Sequence, residues 1–167
     1  IIVAGGIGEK SPKIRAMICE NLKWFGITLD ESKNSAHVGG REGVQVADFQ
    51  LTALDGRTLT PASLRGKVVI VDFWDTWCGP CLRAMPHLKE LSQGHPEDVV
   101  VIAIALGQEG EAKVREVVAR QELPFPVVLF GAQADLTPAF GNIESLPTTF
   151  LLGPDGVIRR RWVGAQS

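Results

Sequence analysis

At 167 residues the chain is long enough for one ordinary domain and a remnant, and too short for two full domains. Its 17 Lys and Arg against 19 Asp and Glu give a formal net charge of -2, and no basic block suggests an arm for nucleic acid. No apolar run approaches the roughly 20 residues of a membrane-spanning helix, and three cysteines exclude a disulfide-dense secreted scaffold.

Residues 1–32 read differently from the remainder. Ile1 to Ala4 has the pattern of a buried strand, and Gly5-Gly6-Ile7-Gly8 that of a tight loop. Ser11-Pro12 supplies a cap and first-turn proline for a helix. Ile14, Met17, Ile18, Leu22 and Phe25 then recur at helical spacing, which predicts an amphipathic helix ending near Gly26. The opening apolar stretch is too short for a signal peptide and has no basic residues ahead of it, so no targeting signal is legible. Glu31 to Gly43, polar and rich in Gly, Ser and Asn, reads as a linker.

The second unit begins near Val46. Phe49 to Thr52 and Arg57 to Thr60 flank the turn pair Asp55-Gly56 and predict a hairpin, followed by a loop over Pro61 to Gly66. Lys67 to Trp74 is a strand whose almost unbroken apolar character fits burial on both faces. A helix is predicted over Cys81 to Gln93, kinked at Pro86. Then come a strand over Val99 to Leu106, a helix over Glu109 to Gln121, a short strand over Phe125 to Phe130 and a helical turn over Leu136 to Phe140. Thr148 to Leu152 and Val157 to Val163 close as a hairpin around Gly153-Pro154-Asp155-Gly156. The order β-α-β-α-β plus a hairpin predicts an α/β fold with a central mixed sheet between helices. Arg159-Arg160-Arg161 falls in the last strand and reads as a solvated edge rather than a ligand site.

The chemistry concentrates in Trp77-Cys78-Gly79-Pro80-Cys81, where a strand hands over to a helix. Unpaired N–H groups and the positive dipole end at a helix start stabilise a thiolate, and in Cys-x-x-Cys motifs the thiol pKa falls from about 8.5 toward roughly 7. Cys78, at the helix start and the more exposed of the two, is the expected nucleophile. Cys81, one turn in, is the expected resolving thiol. Pro80 presets a helical φ in the first turn, where its missing N–H is no loss. A structural zinc site needs about four ligands; there is no second Cys-x-x-Cys, Cys19 stands alone, and His37, His87 and His95 show no paired spacing. A purely structural disulfide usually closes a longer loop. The reading calls for no metal and no cofactor.

Residues 43–164 resemble the thioredoxin-like fold, and within it the TlpA/ResA-type thiol-disulfide oxidoreductases. The motifs that carry the likeness are Ala47-Asp48-Phe49, Leu54-Asp55-Gly56, Leu64-Arg65-Gly66-Lys67, Val71-Asp72-Phe73-Trp74, Trp77 to Cys81, Phe125 to Leu129 and Leu146-Pro147-Thr148-Thr149-Phe150. The resemblance implies a cis-proline at Pro147 facing the dithiol, with Leu146 offering backbone groups to an extended substrate. It implies that Asp72 is a buried carboxylate with a raised pKa that relays a proton to or from Cys81. Trp77 would cover part of the dithiol and present an apolar face to partners, whereas Trp74 belongs to the core. Gly79-Pro80 resembles the dipeptide of reducing rather than strongly oxidising relatives. The implied partners are a protein carrying a disulfide and an upstream dithiol electron donor. The competing expectation is a catalytically inactive thioredoxin-like module that only holds extended peptides.

The chain departs from the family at three places. Ala84 stands where many members have a Glu, which speaks against specialised cytochrome-maturation chemistry. Asp75 stands where small residues are usual: either its carboxylate approaches Cys78 and disfavours the thiolate, or it is a solvated surface Asp. The family's terminal helix has no counterpart after the last strand, and the helix Ile14 to Phe25 is expected to dock on the sheet face so left. Residues 1–34 resemble the last third of acetate kinase through Ala4-Gly5-Gly6-Ile7-Gly8-Glu9, Ser11 to Arg15 and Gly26 to Asp30. A fragment of that size cannot close a core, so no kinase activity is expected. The organisation expected is a fragment over 1–34, a linker over 35–43 and a thioredoxin-like domain over 44–167. The thioredoxin-like relatives imply a site outside the cytoplasmic membrane and the kinase-like fragment implies the cytoplasm, which leaves the compartment open.

Overall fold

The computed structural model describes residues 43–132 and 136–164. The expected N-terminal strand, loop and helix, its docking on the sheet, and most of the linker lie outside the described residues. Among the described residues seven strands and three α-helices follow in chain order: β1 (Leu51–Thr52), β2 (Thr58–Leu59), β3 (Val68–Trp74), α1 (Gly79–Gly94), β4 (Val99–Ala105), α2 (Glu111–Gln121), β5 (Val127–Leu129), α3 (Thr137–Phe140), β6 (Thr148–Leu152) and β7 (Ile158–Val163). Five strands form one sheet in the order β5-β4-β3-β6-β7. β3 runs parallel to β4 and antiparallel to β6, β4 runs parallel to β5, and β6 pairs antiparallel with β7. This is the mixed α/β sheet that the element order predicts.

β3 is central and buried along its whole length, as its apolar run requires. Strand alternation divides its side chains between the faces. Val68, Ile70 and Trp74 pack with Cys81, Met85 and Leu88 of α1, while Val69, Val71 and Phe73 pack with α3 and β6 on the other side. That second core centres on three rings: Phe73 lies 5.6 Å from Phe140 and 5.9 Å from Phe150, both edge-on.

Residues 43–54 run from one border of the sheet to the other. At the β7 border Gly43 N–H donates to Ile158 O, Ile158 N–H to Val44 O and Val46 N–H to Gly156 O. Val46, Phe49 and Leu51 then sink into the core, and at the opposite border Ala53 bridges Val128 while Leu54 N–H donates to Val127 O. The predicted hairpin at Asp55-Gly56 is therefore present only as the two-residue strands β1 and β2, because its neighbours are spent on β5.

Several boundaries move. The predicted loop after the hairpin contains a 3-10 turn at Ala62–Leu64, and Phe130–Ala132 is a second such turn that ends β5 early. α1 begins at Gly79 rather than Cys81, since Pro80 sits in its first turn, and the helix runs on through Pro86. α2 begins at Glu111, because Gly110 caps it with φ 88° and Glu109 lies in the loop ahead. The arginines of β7 are only partly exposed: Arg159 pairs with Asp155 at 2.7 Å, and the Arg161 guanidinium lies 5.7 Å from the centre of the Phe150 ring.

Candidate active site

β3 ends at Trp74, and the three residues Asp75, Thr76 and Trp77 carry the chain to the start of α1. Cys78 is the N-cap of that helix, with extended φ and ψ of -81° and 93°. Its Sγ accepts a hydrogen bond from Cys81 N–H at 3.3 Å, and its carbonyl takes the first helical bond from Leu82 N–H. The sulfur thus occupies the place where an N-cap oxygen normally satisfies an orphan amide. Cys78 and Cys81 are joined by a disulfide with an S–S distance of 2.02 Å. Cys78 is 3% exposed and Cys81 fully buried, so Cys78 is far more enclosed than its place at a helix start suggests. Trp77 is 54% exposed beside it, and Trp74 is wholly buried.

The antiparallel register sets Phe73 against Thr148. Leu146-Pro147, immediately before, therefore lies at the level of Trp74, at the end of the sheet from which the dithiol loop departs. The Leu146-Pro147 peptide bond is cis. Pro147 O accepts from Gly164 N–H, and Leu146 packs against the cluster that contains Cys78 and Cys81. Among the described residues the Leu146 backbone takes no hydrogen-bond partner.

Asp72 lies two residues before the end of β3, on the face toward α1 shared with Ile70 and Trp74. It is buried, its Oδ1 accepts from the Thr149 hydroxyl at 2.6 Å, and its Oδ2 has no partner among the described residues. Loss of hydration outweighs the Thr149 hydrogen bond and pushes the carboxyl up from 3.8 to about 7. A group of that strength can hold or release a proton near neutrality.

Asp75 is not a solvated surface residue: it is fully buried. Its Oδ1 accepts from Thr76 N–H at 2.8 Å and its Oδ2 from Gln108 N–H at 3.1 Å. Sequence reasoning had no means of finding Gln108, which lies in a different loop and contributes only its main chain. The Thr76 hydroxyl donates to Glu109 in that same loop.

A surface cavity of about 440 Å³, lined by Arg57, Leu59, Lys67, Val100 and Phe125 among others, sits near the opposite ends of β3 and β4 and takes no part in this site. Among the described residues no cluster of His, Cys, Asp and Glu could hold a metal ion, and no helix is long and apolar enough to cross a membrane.

Residues 41–167 match the Redoxin family model, and residues 1–54 match the model of the Acetokinase family. The thioredoxin-like protein YneN of Bacillus subtilis is 32% identical over 148 residues, covering 86% of this chain and 84% of that protein. The thiol-disulfide oxidoreductase ResA of Bacillus cereus is 34% identical over 127 residues, 75% of this chain and 71% of its own length. Among solved structures, StoA from Bacillus subtilis superposes with a TM-score of 0.62 at 26% identity, covering 72% of this chain and 90% of that one. The exposed lipoprotein thioredoxin of Streptococcus pneumoniae does so with a TM-score of 0.61 at 27% identity, covering 71% and 90%.

Proposed function

The chain belongs to the redoxin family and is a thiol-disulfide oxidoreductase of thioredoxin-like fold, and from that premise we propose that it reduces protein disulfides through Cys78 and Cys81. The observation that carries this reading is the Cys78 sulfur capping α1 while bonded to Cys81. In the reduced protein the same amide end favours the Cys78 thiolate.

The steps balance as follows. Cys78 thiolate attacks one sulfur of the partner's disulfide, forming a mixed disulfide and releasing the other sulfur as a thiolate that takes a proton from water. The Cys81 thiol gives its proton to Asp72 and attacks Cys78 Sγ, expelling the partner's remaining sulfur as a second thiolate. The partner gains two electrons, the protein is left with the Cys78–Cys81 disulfide, and an upstream dithiol donor restores it. Asp72 fits the proton step because its burial holds it near neutrality and its Oδ2 is unengaged among the described residues. Leu146 and cis Pro147 would receive an extended segment of the partner, with Trp77, Gly79 and Pro80 forming the adjoining contact surface.

Reduction of insulin disulfides by the reduced protein tests this directly. Cys78→Ser should abolish it, and Cys81→Ser should accumulate a mixed disulfide visible by mass spectrometry. A parent unable to reduce insulin would leave the inactive peptide-holding module, which the oxidoreductase relatives do not favour, and undiminished reduction by Cys78→Ser would remove Cys78 as the attacking thiol.

Residues 1–34 form, in the same proposal, a fragment akin to acetate kinase joined through residues 35–43 to the thioredoxin-like domain of 44–167. The support is the family match over residues 1–54 together with the glycine motif Ala4 to Glu9.

A further inference from the structure

A carboxylate without a cation beside it is costly to bury, and a small residue would serve an ordinary turn at position 75. Asp75 is nevertheless fully buried three residues ahead of the nucleophile. Its main-chain carbonyl accepts from Cys78 N–H at 3.1 Å, while its side chain takes the Gln108 amide of the loop between β4 and α2. One residue therefore touches the capping cysteine with its backbone and the neighbouring loop with its side chain.

That loop is a firm platform. Gly107 has φ +72°, and a Cβ there would lie 2.4 Å from Leu129 Cδ1, so the loop backbone lies close against the Leu129 side chain of β5. Gly110 N–H donates to Gly107 O at 3.0 Å and closes the turn. The Thr76 hydroxyl bonded to Glu109 and Leu106 N–H bonded to Trp74 O, at 2.9 Å, tie the same two segments a second and third time.

We propose that Asp75 is a positioning residue of the dithiol, its carboxylate pinning the loop that carries Cys78 to the loop ahead of α2 so that the amide end of α1 stays set against the sulfur. The proposal rests on the dithiol reading above. It assigns Asp75 a mechanical part, distinct from any effect of its charge on the thiolate.

Two neutral replacements separate the two effects. Asp75→Asn keeps one acceptor oxygen, Asp75→Ala keeps none, and both remove the same charge. Insulin reduction, the Cys78 thiol pKa from thiolate absorbance, hydrogen exchange at the Gln108 amide, and thermal unfolding are measured on parent and variants. In Asp75→Ala the Gln108 amide should exchange about tenfold faster, and the second-order rate constant should fall by about tenfold. Asp75→Asn should recover most of that rate, with a Cys78 thiol pKa below that of Asp75→Ala. Equal thiol pKa values and rates in the two variants would overturn the proposal, as would unchanged Gln108 exchange in Asp75→Ala. If Asp75→Ala does not fold, Asp75→Ser, too short to reach Gln108, replaces it in the same comparison. A parent protein unable to reduce insulin defeats the reductase reading itself, whereas an active parent with matching variants defeats only the role of Asp75.

Discussion

The Thr149 hydroxyl donates to Asp72 Oδ1 at 2.6 Å across the β3–β6 ladder, where the two residues are direct register partners. The bond fixes the carboxyl in place and leaves its other oxygen without a partner among the described residues. A single hydroxyl cannot replace the water that a carboxylate loses on burial, so the group holds its proton far above the ordinary carboxylate range.

Asp72 therefore makes stability depend on pH in a definite sense. Between 3.8 and about 7 the folded chain holds a proton there that the unfolded chain has lost. Its contribution is fully present below 3.8, declines as pH rises through about 7, and levels off above. The loss should be on the order of 4 kcal/mol. Denaturant titrations of the oxidised protein at pH 4 to 8 should show this decline, flattened in Asp72→Asn. If Asp72 also takes the Cys81 proton, the same variant should slow resolution of the mixed disulfide; identical slopes in parent and variant would remove the pKa assignment.

Trp77 is an exposed aromatic next to Cys78, and its removal should separate recognition from folding. Trp77→Ala is expected to leave stability within about 0.5 kcal/mol. The loss should instead fall on insulin reduction, with KM raised by about tenfold and kcat little changed. A large fall in unfolding midpoint would show the ring to be structural.

Gly107 should disfavour any side chain. Alanine would have to adopt φ +72° and turn the tip of the Leu129 side chain aside, which should destabilise the fold by on the order of 1 to 2 kcal/mol. Urea denaturation of Gly107→Ala measures the loss, and a midpoint equal to the parent's would refute the close approach.

Legibility followed the range of the interactions. β3 and α1 could be read because their determinants are local: an apolar run, a cysteine at the cap and a proline in the first turn. Pro147 was legible only through resemblance, since nothing in the spacing of residues marks a cis bond. Of the two readings open for Asp75, the solvated carboxylate fails, because its burial depends on a backbone amide 33 residues away that any residue type supplies. α2 starts two residues later than the sequence predicts because Glu109 suits a helical first turn by type yet engages Thr76. The hairpin strands shrank for a similar reason, their neighbours being committed to the far border of the sheet.

The stretch from Gly43 to Leu54 gives the sheet a further property. Open strand borders invite neighbouring molecules to add on and grow into aggregates. Here one continuous ribbon screens the start of β7 and the outer side of β5 together. A single protease cut within that ribbon would therefore unmask both flanks at once and leave two strand borders ready to pair with other copies of the chain.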